Sequence, residues 1–204
     1  MSDTIKYRIG LDLGQTGQFT ALAVLEQMKR PDPFNPDRLA KHYAVRHLER
    51  FAPGIAFAQI CARLQTLLTT LPRDETIVAV DQTAVGEPVV RLLRRARLRV
   101  SIRPVTITAG NQVQISEGGG WLVPKRDLVS TFQLLLQSQR IKVASCLPEA
   151  QILVQELLRF RAKVALAAND TLDAWREGPH DDLVLAVAIA AWMSEQLREL
   201  WIYC

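Results

Sequence analysis

Ile77-Val78-Ala79-Val80 runs through four apolar residues without a polar break and closes on Asp81. A strand with one wet face alternates apolar and polar residues, whereas an unbroken run suits a parallel strand covered by helices on both faces. A second such run, Tyr7-Arg8-Ile9-Gly10-Leu11-Asp12, is mostly apolar and also ends on an aspartate. Carboxylates at the ends of buried strands are costly unless charge or hydrogen bonds meet them. A third acidic position, Asp181-Asp182, opens the apolar helical run from Leu183 to Met193.

The order of elements fixes how these acids relate. Residues 5–13 read as a strand, and 18–25 as a second strand after a tight Gly14–Gly17 connection. Pro31, Pro33 and Pro36 mark an exposed loop, and 41–51 reads as an edge-like third strand. Residues 54–71 form a helix with Ile60, Leu64, Leu67, Leu68 and Leu71 on one face. A strand over 76–81, a helix over 87–98 with Pro88 in its first turn, and a strand over 100–108 follow. Residues 115–123, with Gly118-Gly119-Gly120, read as a glycine-turned hairpin. Residues 125–137 form a helix facing Leu128, Phe132, Leu135 and Leu136 to the core. A helix then runs from Pro148 to about Phe160, one or two short strands are expected in 161–175, and the last helix spans 181–200.

Three meandering strands followed by helix, strand, helix and strand predict an α/β fold with the order of a ribonuclease-H-like sheet. It is a mixed, five-stranded-type sheet flanked by helices in a single domain over 1–204. In that order the first and fourth strands are parallel neighbours, so Asp12 and Asp81 lie side by side at the C-terminal edge, where open α/β sheets place their sites. Alternation puts Ile77, Ala79 and Asp81 on one face of the sheet. Asp182, Ala186, Ile189 and Ala190 share a face of the last helix, and its alanines permit close approach to the sheet. Each aspartate also has an ordinary role, as a turn residue or a helix cap. Their joint occurrence in this order favours convergence on Mg²⁺ or Mn²⁺. Two ions about 3.5–4 Å apart would activate water and stabilise the leaving oxygen in phosphodiester cleavage. Asp181 and Asp182 point about 100° apart; Asp182 is favoured as the third ligand, with Asp181 as the alternate.

Composition narrows the setting. With 204 residues, 49% hydrophobic and 23% charged, the chain is long and apolar enough for one globular core. Its net charge of +4 is compatible with a polyanionic partner. Cys61, Cys146 and Cys204 are far apart and odd in number, which points to no zinc spacing and to a reducing compartment. The polar start Met1-Ser2-Asp3-Thr4 does not read as a signal peptide, and no apolar stretch is long enough to span a bilayer. The expected location is cytoplasmic, in the host if phage-derived, with no membrane partner.

The opening Gly10-Leu11-Asp12-Leu13-Gly14-Gln15-Thr16, the strand-end Asp81, the segment Val123-Pro124-Lys125-Arg126-Asp127-Leu128-Val129 and the closing Gly178-Pro179-His180-Asp181-Asp182-Leu183-Val184 together resemble the nuclease domain of phage and viral large terminase subunits. The resemblance spans about residues 7 to 193, and the closing segment is its most specific part. It implies a ribonuclease-H-like fold, Mg²⁺ or Mn²⁺ dependence, and endonucleolytic cutting of double-stranded DNA during packaging. By position, Asp12, Asp81 and the Asp181/Asp182 pair would be the metal-binding acids, with His180 beside them as a possible assistant. Large terminases normally carry an ATPase motor, and no Gly-x-x-x-x-Gly-Lys-Ser/Thr loop occurs here. The expectation is therefore a stand-alone or excised nuclease, whose ATPase, portal or small terminase partner would be separate.

Arg91, Arg94 and Arg95 form a stripe on the helix from Glu87, with Arg97 and Arg99 after it, and Lys125 and Arg126 open a later helix. These are candidate phosphate contacts, although a solvated helix face would look the same. Glu87 is a possible further ligand or a helix-start acid. A Holliday-junction-resolvase-like nuclease ranks lower, because the positions three before Asp181 and Asp182 are Gly178 and Pro179 and not acids. A sugar-kinase or actin-like nucleotide binder would explain Asp12-Leu13-Gly14-Gln15-Thr16 but needs a second domain. A degenerate fold serving as a DNA-binding or assembly module is the non-enzymatic reading.

Overall fold

The computed structural model describes residues 5–14, 17–83, 87–167 and 181–197, with side chains omitted over 160–167. Its strands are β1 (Lys6–Asp12), β2 (Thr20–Pro31), β3 (Leu39–Phe51), β4 (Thr76–Asp81), β5 (Ser101–Thr108), β6 (Gln114–Ile115), β7 (Trp121–Pro124) and β8 (Ile141–Val143). Its helices are α1 (Phe57–Leu68), α2 (Glu87–Arg95), α3 (Lys125–Gln137), α4 (Ala150–Ala167) and α5 (Asp182–Gln196).

The strands form one sheet in the order β6-β7-β5-β4-β1-β2-β3-β8. The expected five-strand core, β5-β4-β1-β2-β3, is its centre. β1 pairs with β2 antiparallel and with β4 parallel, as the apolar runs predict. Sequence reading stopped short at the edges. The β2–β3 hairpin reaches Pro31 and Leu39, and β8 adds parallel to β3 through Tyr43 and Ile141. Three residues of pattern are too few to mark β8 as a strand. The glycine-turned hairpin is present as β6–β7.

A bulge interrupts the β2–β3 ladder between Val24 and Leu25: Leu25 faces Val45, but Val24 faces His47. β3 therefore carries one extra residue, Arg46, and the faces of the residues beyond it are exchanged.

Helices cover both faces. α1 and α2 pack Ile60, Leu64, Leu68, Val89 and Leu93 against Ile9, Leu11, Leu22, Val24, Val78 and Val80. The other face carries Ala21, Ala23, Leu25, Leu48 and Ala79, and receives α3 and α5. α5 is apolar nearly all round and almost wholly buried, which is what an enclosed helix requires. Trp192 of α5 meets Trp121 of β7 edge to face at 5.6 Å.

Two expectations are corrected. Residues 161–167 continue α4 instead of forming short strands; Arg161-Ala162-Lys163-Val164-Ala165-Leu166-Ala167 is rich in strong helix formers and lacks a breaker. Residues 168–175 lie outside the described residues. In α3, Val129 and not Leu136 completes the buried stripe, and Leu136 is 37% exposed.

Candidate active site

Asp12 and Asp81 are register partners on adjacent parallel strands, so their carboxyls leave the same face of the sheet at the same level. The row continues through Ala21 of β2, opposite Asp12, to Arg50 of β3, opposite Ala21. Asp81, Asp12, Ala21 and Arg50 thus form a line across four strands. α5 lies over this line, and its first residue, Asp182, is reached by Arg50, whose Nη2 stands 2.9 Å from Asp182 Oδ2. The small Ala21 side chain leaves room for that reach.

Both strand-end acids are buried. Burial first, then the charges of Asp81 and Asp182, hold the Asp12 carboxyl well above the usual carboxylate range. Asp81 is also raised by burial, but the Thr83 amide and hydroxyl donate to its Oδ1, the amide at 2.8 Å, and oppose the shift. The two carboxyls are hydrogen-bonded to each other, Asp12 as the acid and Asp81 as the acceptor. Lys125, at the start of α3, favours the ionised form of both. It therefore lies beside the acids. Arg126 is exposed, donates to the Asn111 carbonyl and contacts Asp127 at 3.4 Å.

Behind Asp182 stands a group that sequence reading missed. Glu156 of α4 is 1% exposed, and its Oε2 accepts from the Leu183 and Val184 amides at 2.9 and 3.1 Å. It caps the first turn of α5 from another helix. Burial pushes its carboxyl up to about 7 despite those bonds. Its Oε1 lies 3.9 Å from Arg50 Nη2. The Arg50 guanidinium is also stacked over the Phe19 ring at 3.8 Å.

The other predicted positions separate. Asp181 is buried at the cap position of α5, where its carbonyl accepts from the Leu185 amide. His180 lies outside the described residues. Arg91, Arg94 and Arg95 are exposed on α2, on the sheet face opposite α5, and Arg91 pairs with Glu87 at 3.7 Å. Glu87 itself is solvent-facing and stands apart from the acid pair.

The donor chemistry fits a hard divalent cation, since buried carboxylate oxygens that repel one another are relieved by it. Two of the expected ligands are in place. Among the described residues no three acidic, histidine or cysteine side chains stand together as a complete ligand set, because Asp182 is turned to Arg50.

No protein-family model matches the chain, and no curated protein matches it in sequence. Solved structures do match its fold. The large terminase nuclease from thermophilic phage G20c superposes with a TM-score of 0.56 at 21% identity, covering 91% of this chain and 81% of that one. The magnesium-bound form of that nuclease gives 0.57 at 20% identity, over 92% and 80%. The chain has the fold of a large terminase nuclease. That fold is ribonuclease-H-like, as the element order predicts. Among the described residues, no helix is long and apolar enough to cross a membrane.

Proposed function

We propose that this terminase-nuclease fold is a Mg²⁺- or Mn²⁺-dependent endonuclease that hydrolyses phosphodiester bonds of double-stranded DNA. The observation that carries the reading is the Asp12–Asp81 pair: two buried, adjacent carboxyls at the C-terminal edge of parallel strands, hydrogen-bonded to each other and raised by burial. A fold needs no such pair for stability, and it costs stability wherever both groups ionise. The G20c nuclease, which shares the fold, has been solved with magnesium bound.

Asp12 and Asp81 would hold the cation, with Asp182 as the third ligand and Asp181 as its alternate. Once bound, a divalent ion lowers the pKa of a coordinated water and neutralises charge on the phosphate, and a second ion would serve the leaving oxygen. Thr83 fixes one rotamer of Asp81 through two hydrogen bonds, so that its second oxygen stays available. Lys125 supplies a positive charge beside the pair for the phosphate diester. Arg126, exposed one residue on, extends that charge outward, and Arg91, Arg94 and Arg95 would serve a longer duplex only if it wraps past the α2 face. His180 would assist proton transfer from the segment before α5. In the finer form of the reading the DNA is a packaging concatemer, presented by a separate ATPase, portal or small terminase subunit; the fold is its only support.

The test is incubation with supercoiled plasmid in Mn²⁺, Mg²⁺ or EDTA, beside Asp12→Asn, Asp81→Asn and Asp182→Asn. Cutting should require metal and be lost in all three variants. Undiminished cutting by Asp81→Asn would sink the three-acid site.

A further inference from the structure

Arg50 stands between two carboxylates. One, Asp182, it holds at 2.9 Å. The other, Glu156, faces it at 3.9 Å through an Oε1 that is buried and has no hydrogen-bond partner among the described residues. A buried carboxylate oxygen without a donor is costly, and here it lies just beyond hydrogen-bond reach of the nearest guanidinium. Glu156 is otherwise fixed, because its Oε2 is tied to the Leu183 and Val184 amides. Arg50 is the member able to move, since its stacking on Phe19 tolerates sliding in the guanidinium plane.

We propose that Arg50 is a two-position latch: it retains Asp182 in the resting site and transfers to Glu156 Oε1 when Asp182 turns to join Asp12 and Asp81 around a divalent cation. The inference rests on the metal-site reading above and adds to it two positioning residues, Arg50 and Glu156. The ion pair explains why Asp182, already close enough for its charge to raise Asp12, does not complete the ligand set. Without a second acceptor, releasing Asp182 would strand a guanidinium that is only 14% exposed, and a stranded buried charge is strongly unfavourable. With Glu156 waiting, one buried ion pair is exchanged for another. The Leu183 and Val184 amides anchor Glu156 to the turn that carries Asp182, so donor and receiver stay in register.

The experiment is Mn²⁺ titration of the DNA-free protein by calorimetry, comparing wild type with Asp12→Asn, Glu156→Gln, Arg50→Met and the Arg50→Met/Glu156→Gln double variant. Glutamine keeps an oxygen for the two amides but offers Arg50 no charge. Glu156→Gln should weaken Mn²⁺ binding about 10-fold or more, the range found when groups that orient metal ligands are changed. The double variant should bind at least as tightly as wild type, because nothing then retains Asp182. Thermal melting of each variant separates loss of binding from loss of fold, and the double variant, which keeps the same Glu156 change, makes rescue decisive. Wild-type affinity in Glu156→Gln, or equal weakening in the double variant, overturns the latch while leaving the acid pair intact. Binding by Asp12→Asn as tight as wild type overturns the metal-site reading and the latch with it.

Discussion

Gly10 of β1 lies against the backbone of Ala186 in α5: a Cβ at position 10 would stand 1.8 Å from the Ala186 carbonyl oxygen and 3.1 Å from the Ala190 Cβ. This contact sets the height of α5 above the sheet, and so the distance from Asp182 to Asp12, two residues along β1. Gly10→Ala should force α5 outward. The expected cost is about 1–3 kcal/mol, as for other overpacked cores, read from urea unfolding. Metal affinity should fall as well, because the helix carrying the third acid is displaced.

The Asp12 carboxyl is destabilised as an anion by burial and by two neighbouring acids. Asp12→Asn should therefore raise the melting temperature of the metal-free protein at neutral pH while abolishing cleavage. A lower melting temperature in EDTA would show that the acid serves the fold and not the site.

Glu156 gives a pH dependence whose sign is fixed. Its carboxyl titrates near 7 in the folded protein against an ordinary value of 4.5, so the folded state holds the proton more tightly than the unfolded chain does. The resulting stability is fully present below 4.5 and is lost as pH rises through about 7, by on the order of 3 kcal/mol. Chemical unfolding in EDTA at a series of pH values should show that decline, and Glu156→Gln should make it shallower.

Two ion pairs at the β3 edge should differ in value. Glu26 and Arg46 meet at 2.9 Å, but the Arg46 side chain is 54% exposed, and Glu26→Gln should cost under about 1 kcal/mol. Glu195 accepts from both the Tyr43 hydroxyl at 2.6 Å and Arg140 at 2.9 Å, in a part-buried setting. Glu195→Gln should cost on the order of 2 kcal/mol, the scale of charged hydrogen bonds lost from such a site. Urea unfolding of both variants at neutral pH gives the comparison.

The acid pair was legible in the sequence because the signal is local. Two apolar runs ending on aspartate specify buried strands, and element order makes them parallel neighbours. The small face of α5 was legible for the same reason: Asp182, Ala186 and Ala190 repeat at helical spacing. Arg50 and Glu156 were not. Arg50 lies 132 positions from Asp182, in a strand whose mixed pattern resembles any exposed edge. Glu156 sits in a helix where an acid ordinarily faces water, and only the docking of α4 against the start of α5 buries it. The interrupted register of the β2–β3 ladder hid Arg50 further, since counting back from the proline loop places Glu49 opposite Ala21.

That interruption decides the sign of a charge. With an unbroken ladder, Glu49 would occupy the fourth place in the row Asp81, Asp12, Ala21, and Asp182 would arrive among acids alone. The single extra residue in β3 substitutes a cation for that anion, so the third carboxylate has a counter-charge to rest against at the sheet edge. A one-residue deletion at Arg46 would leave the hairpin its length and its turn, yet turn the neighbour of Asp182 from attractive to repulsive.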